Sequence, residues 1–139
     1  MTHTAFAAGQ PDHLAIDYQP GICNIGPAEI ARRRRAGHIG LVATIALFAI
    51  LVLVSAPPLA RLVLIIPAAV SASGYLQAYL KFCAGFGSRG IFNFDEVGTT
   101  EQVAGAAARG LDKAKANRIG LASFAIGIAV ALVAVVLPI

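Results

Sequence analysis

Residues 36–56 read AGHIGLVATIALFAILVLVSA, and the run stops at Pro57-Pro58. His38 is its only titratable side chain. At 1.5 Å per residue these residues reach about 31 Å as a helix, enough for a hydrocarbon core of about 30 Å. Two further apolar runs follow, at 59–83 and 119–139. Three such segments in 139 residues leave little chain for anything else. The composition agrees: 58% hydrophobic, 13% charged, mean hydropathy +0.75. A soluble domain carries about 45–50% apolar and about 25% charged residues, so this chain has too little polar surface to cover a globule in water. The expected fold is an all-α integral membrane protein of three transmembrane helices, the first two forming a tight hairpin, with cytoplasmic helix extensions.

Residues 1–26, with Gly9, Pro11, Pro20, Gly21 and Gly26, read as an irregular arm. Leu14, Ile16, Tyr18, Ile22 and Ile25 give it something to dock with. The arm has no basic start and no continuous apolar core, so no secretory signal is expected. Residues 27–139 then form the three-span domain. Gly26-Pro27-Ala28-Glu29 reads as a helix start: proline tolerates the first position, and the carboxylate meets the positive end of the helix dipole. Nothing breaks that helix before Pro57, so it is expected to reach Ala56. In the second span Arg61 and Lys81 stand 20 residues apart, about 30 Å along a helix, where long basic side chains can snorkel to opposite faces. Tyr75 and Tyr79 suit one interface, and Pro67 is expected to bend the helix in mid-span. Residues 84–118 are expected to hold a loop and then a weakly amphipathic helix, with Thr99 and Gln102 spaced like a capping box. That helix can run straight into the third span.

Charge gives the orientation. Of eleven Lys and Arg residues, only Arg61 falls on the far side of the spans. Arg32, Arg33, Arg34 and Arg35 precede span one; Lys81, Arg89, Arg109, Lys113, Lys115 and Arg118 lie between spans two and three. The positive-inside rule puts the N-terminus in the cytoplasm and the C-terminus outside, in a plasma (inner) membrane. The arginine run lacks neighbouring aromatics or polar readers, so nucleic acid is not the expected partner. Arg32, Arg33, Arg34, Arg35, Arg61, Lys81 and Arg118 are read as topology anchors and contacts to anionic headgroups. An echo between RRAGHIGLVATIALFAI and KANRIGLASFAIGIAV is attributed to chance between apolar helices.

Other motifs are weak. Gly85-Phe86-Gly87-Ser88-Arg89-Gly90 fits G-x-G-x-x-G, but a dinucleotide site needs a preceding strand, and here an apolar helix precedes it. Cys23 and Cys83 form no disulfide framework and no C-x-x-C pair. Both fall near the cytoplasmic membrane surface, with His38 at the same level and His13 on the arm, so a metal, haem or thiol-redox site is the second reading. No carboxylate pair or nucleophile constellation points to an enzyme, and no cofactor is expected.

The spans carry no acid or base near their middle, against a transporter acting alone. Ser73 and Gln77 would line a pore only in an oligomeric channel, the third reading. Small residues form ladders at Gly40 and Thr44, at Ala69, Ser73 and Gln77, and at Ser123, Gly127 and Ala131, where helices can approach closely. Three helices cannot hide every such face. The leading expectation is therefore a non-catalytic accessory or structural subunit that packs against a larger membrane complex, or against copies of itself.

Overall fold

A computed structural model describes residues 18–139. Leu14, Ile16, Asp12, Asp17 and His13 lie outside the described residues. The described chain is mostly helical, with three segments long and apolar enough to cross a membrane: Pro27–Leu53, Pro58–Leu80 and Ala106–Val136.

Helix α1 spans Pro27–Leu53 and starts where the sequence placed it, with Gly26 as N-cap, Pro27 in the first turn and Glu29 as the first-turn acid. It stops three residues before the expected Ala56. Val54 caps it, and Ser55 then takes a left-handed φ of 54°, which turns the chain toward Pro57-Pro58. The next segment opens as a 3-10 helix, Pro58–Leu64, and continues as α2, Ile65–Leu80. The expected mid-span bend at Pro67 is corrected by this division. Pro67 sits in the first turn of α2, where a missing N–H costs little, and the change of helix type has already occurred at Ile65.

Lys81 ends α2 in a left-handed conformation, φ 55°. A short helix, α3 (Ala84–Arg89), follows, with the Cys83 side chain accepting from the Phe86 N–H as its cap. The expected plain loop thus contains a helix turn, and the G-x-G-x-x-G match is largely that helix rather than a phosphate loop. Strands β1 (Ile91–Phe92) and β2 (Glu101–Gln102) pair antiparallel, Ile91 with Gln102 and Phe92 with Glu101. The capping box expected at Thr99 is therefore corrected: Gln102 belongs to a strand, and α4 begins at Ala106 behind Gly105, whose φ is 91°. From there α4 runs unbroken to Val136, joining the amphipathic stretch to the third apolar run as one helix.

Both α1 and α4 pack along α2. A Cβ at Gly40 would lie 2.6 Å from the Ser71 nitrogen, and one at Gly37 2.9 Å from the Tyr75 ring. These contacts set an antiparallel register between α1 and α2. On the other side a Cβ at Gly127 would lie 2.7 Å from the Ile65 carbonyl oxygen. The buried small residues of α2 are Ala68, Ser71, Gly74 and Ala78. The ladder at Ala69, Ser73 and Gln77 is one step round the helix and only half-buried. On α1 and α4 the residues singled out from sequence, Gly40, Thr44, Ser123, Gly127 and Ala131, are buried.

Candidate functional site

The polar end of the bundle is built from three segments distant in sequence. Residues 22–26, GICNIG without its first glycine, run between the end of α2 and the strand region. The backbone ladders on both sides: the Asn24 N–H donates to the Lys81 carbonyl at 3.2 Å, the Asn93 N–H to the Asn24 carbonyl at 3.0 Å, and the Gly26 N–H to the Asn93 carbonyl at 2.9 Å. The Asn24 side chain, fully buried, accepts the Cys83 N–H at 2.7 Å and donates to the Cys83 carbonyl at 3.1 Å. One amide side chain thereby serves as a strand partner for Cys83 in a place where no strand runs.

Below it sits Glu29, fully buried. Its Oε2 accepts from Asn93 Nδ2 at 3.1 Å, and Oε1 lies 3.5 Å from Arg33 and 3.8 Å from Arg32. Oε1 has no hydrogen-bond partner and faces the two guanidinium groups at ion-pair distance. Arg33 also donates to Cys83 Sγ at 2.8 Å, and its guanidinium lies 5.7 Å from the Phe86 ring centroid. Asn93 completes the cluster by donating to the Glu96 carbonyl at 2.7 Å and accepting from the Asp95 N–H at 2.8 Å. A small apolar core of Ile25, Cys83 and Phe86 closes over these groups.

A second buried carboxylate pins the arm to α4. Asp112 accepts from the Tyr18 hydroxyl and from the Gly21 N–H, both at 2.7 Å. Burial of the phenol, and then its hydrogen bond to the Asp112 carboxylate, push the Tyr18 pKa well above its ordinary value.

The residues singled out from sequence fall into different surroundings. Cys23 and Cys83 are both buried within this polar end, and neither is joined in a disulfide. Cys23 Sγ faces the Ile25 carbonyl at 3.8 Å, whereas Cys83 Sγ is held by Arg33. His38 pairs with the Tyr75 hydroxyl at 2.6 Å, a partner on the neighbouring helix rather than a thiol. Among the described residues no group of three His, Cys, Asp or Glu side chains is placed to hold a metal ion. Ser73 and Gln77 bond to each other at 2.8 Å, and Gln77 also accepts the Ala84 N–H at 2.8 Å. Arg32, Arg34, Arg35, Lys81 and Arg118 are exposed.

Arg61 is a correction. Expected to reach out to a membrane face, it is 4% exposed. Its guanidinium donates to the carbonyls of Ala134 at 2.8 Å and Leu137 at 3.0 Å and to the Ile139 oxygen, closing the end of α4. The last carbonyls of a helix have no intrahelical donor and carry partial negative charge, so a guanidinium packed against them supplies both donors and counter-charge.

Sequence reading missed Asn24, Asn93 and Asp112 altogether. The only available signal was a polar residue set among apolar neighbours (ICNIG, IFNFD), which does not reveal a distant partner.

Away from the polar end, the far halves of α1 and α4 and Leu64 line an open groove of about 600 Å³. Ile45, Phe48, Val52, Val130 and Val133 line it, and its one hydroxyl, on Thr44, is spent on the Gly40 carbonyl at 2.7 Å.

These features define a mostly helical protein with three helices apolar and long enough to span a membrane, closed at one end by a buried polar cap. The chain matches no family model, no curated protein and no solved structure.

Proposed function

We propose that this is a multi-pass plasma-membrane protein acting as a non-catalytic accessory or structural subunit of a larger membrane complex, with its N-terminus cytoplasmic and its C-terminus outside. The carrying observation is the groove between α1 and α4. Its walls are apolar apart from the Thr44 hydroxyl, it is concave, and it is lined by exposed large side chains such as Ile45, Leu53 and Val133. In a bilayer apolar burial gives no driving force, so helices associate by shape. A helix-wide concavity offers a partner helix contacts on two walls that a convex lipid-facing surface cannot. The basic residues clustered at the capped end support the orientation.

The test is crosslinking in native membranes followed by purification in mild detergent. A stoichiometric complex crosslinked through Ile45 or Val133 is expected. A monomer or small homo-oligomer with no partner at those positions sinks the accessory-subunit reading. Reporter fusions at the two ends test the orientation separately; an external N-terminus would reverse it.

A further inference from the structure

On the opposite side of α2 from α1, the capped end carries a second, smaller cavity of about 300 Å³ between α2 and α4. Leu76 and Leu80 form one wall; Lys115, Arg118, Ile119 and Ala122 form the other. Along α4 the two cations are one turn apart and share a face, since residues three positions apart are helical neighbours. Ile119 and Ala122 each stand four residues beyond one of the cations, so the cavity is basic at its upper end and apolar below.

No acidic side chain pairs with Lys115 or Arg118 among the described residues. The nearest acid along the helix, Asp112, is fully buried and occupied by Tyr18 and Gly21. Lys115 is steadied from behind, its ammonium 5.7 Å from the Phe82 ring centroid. The change from basic to apolar falls at Arg118-Ile119, where the third apolar run begins, and beside Leu80-Lys81, where the second ends. Positive charge and apolar walls thus coincide at one level.

We propose that this cavity holds an anionic phospholipid, its phosphate between Lys115 and Arg118 and an acyl chain against Leu76, Leu80, Ile119 and Ala122. The phosphate supplies a counter-charge to the two cations, and the acyl chain covers the apolar wall. A cavity of basic rim and apolar floor between membrane helices has the chemistry for an acidic headgroup. The assignment rests on the membrane embedding proposed above.

The full chain in detergent is mixed with equal amounts of phosphatidylglycerol and phosphatidylcholine, and the bound lipid is read by native mass spectrometry. With two cations, a preference for phosphatidylglycerol on the order of thirty-fold is expected. Lys115→Gln with Arg118→Gln should bring it close to parity, while Arg89→Gln with Lys113→Gln, which removes the same charge from exposed positions outside the cavity, should leave it. Equal retention by the first pair, or an equal loss from the second, overturns the proposal. On the unaltered protein, phosphatidylglycerol with a photoreactive acyl chain should label residues 76–80 and 119–122, and labelling confined to other segments also overturns it. Flotation with pure phosphatidylcholine vesicles separates the two readings. A chain that fails to float loses both, and one that floats without lipid preference loses only this site.

Discussion

The side-chain amide of Asn24 grips the backbone of Cys83 from both sides, accepting its N–H at 2.7 Å and donating to its carbonyl at 3.1 Å. The two residues are 59 positions apart. The Cys83 carbonyl has a second donor in the Gly87 N–H, but among the described residues its own N–H has no other partner. Asn24→Ala should therefore cost about 1–3 kcal/mol, the range for a buried donor left unsatisfied. Asn24→Asp should cost at least as much, because it faces the carbonyl with a carboxylate. Thermal unfolding in detergent measures both, and an unchanged midpoint for Asn24→Ala would count against this contact as a fastener.

Glu29 and its two arginines make a sharper comparison. Arg33 is largely buried and bridges Glu29 to Cys83, whereas the Arg32 side chain is 55% exposed. Glu29→Ala removes the buried counter-charge of Arg33 and one of the two acceptors of the Asn93 amide, and should destabilise by about 3 kcal/mol. Arg32→Ala should cost less than about 1 kcal/mol, as for exposed pairs. Chemical denaturation of the two variants side by side would decide the matter, since equal losses contradict the assigned burial.

Tyr18 predicts an alkaline effect. Its pKa is raised in the folded chain, by burial first and by Asp112 second, so folding favours the protonated phenol. The stabilisation is fully present below the unfolded value of about 10 and is lost as pH rises above it toward the folded value. Near-ultraviolet titration should show the Tyr18 phenol ionising only at strongly alkaline pH or on unfolding. In Tyr18→Phe that late step should vanish and the alkaline fall in stability should flatten.

The glycines of the helix interfaces are not equivalent. Alanine at Gly40 would press on the Ser71 backbone, and at Gly127 on the Ile65 carbonyl, so each should cost about 1–3 kcal/mol by forcing helices apart. Alanine at Gly120 meets open space and should be neutral or stabilising by up to about 1 kcal/mol through helix propensity. Helix-melting curves for the three single variants give the order directly.

Much of this architecture was legible from residue order. The three apolar runs, the start of α1 at Pro27 and the small-residue faces through Gly40 and Gly127 all follow from local rules about length, caps and side-chain size. The 3-10 segment did not, because Pro67 allows either a bend in mid-helix or an early change of helix type, and packing against α4 is a long-range matter. The helix expected from Thr99 failed for a similar reason: a capping box is a local preference of about 1 kcal/mol, which the pairing of Glu101 and Gln102 with β1 outweighs.

The GICNIG stretch shows the division most plainly. Sequence alone determined that it lies at the foot of an apolar helix, since Gly26-Pro27 must start one and the hydrophobic run must follow. Sequence alone drew notice to its cysteine. Only the tertiary structure decided that Asn24 is the residue fastening this end of the molecule, that Glu29 and Asp112 are buried rather than solvated, and that Arg61 closes a helix end instead of reaching outward. Hydrophobic length is a property of consecutive residues and survives without a fold. A buried hydrogen bond is a property of two groups that meet only after the chain has folded.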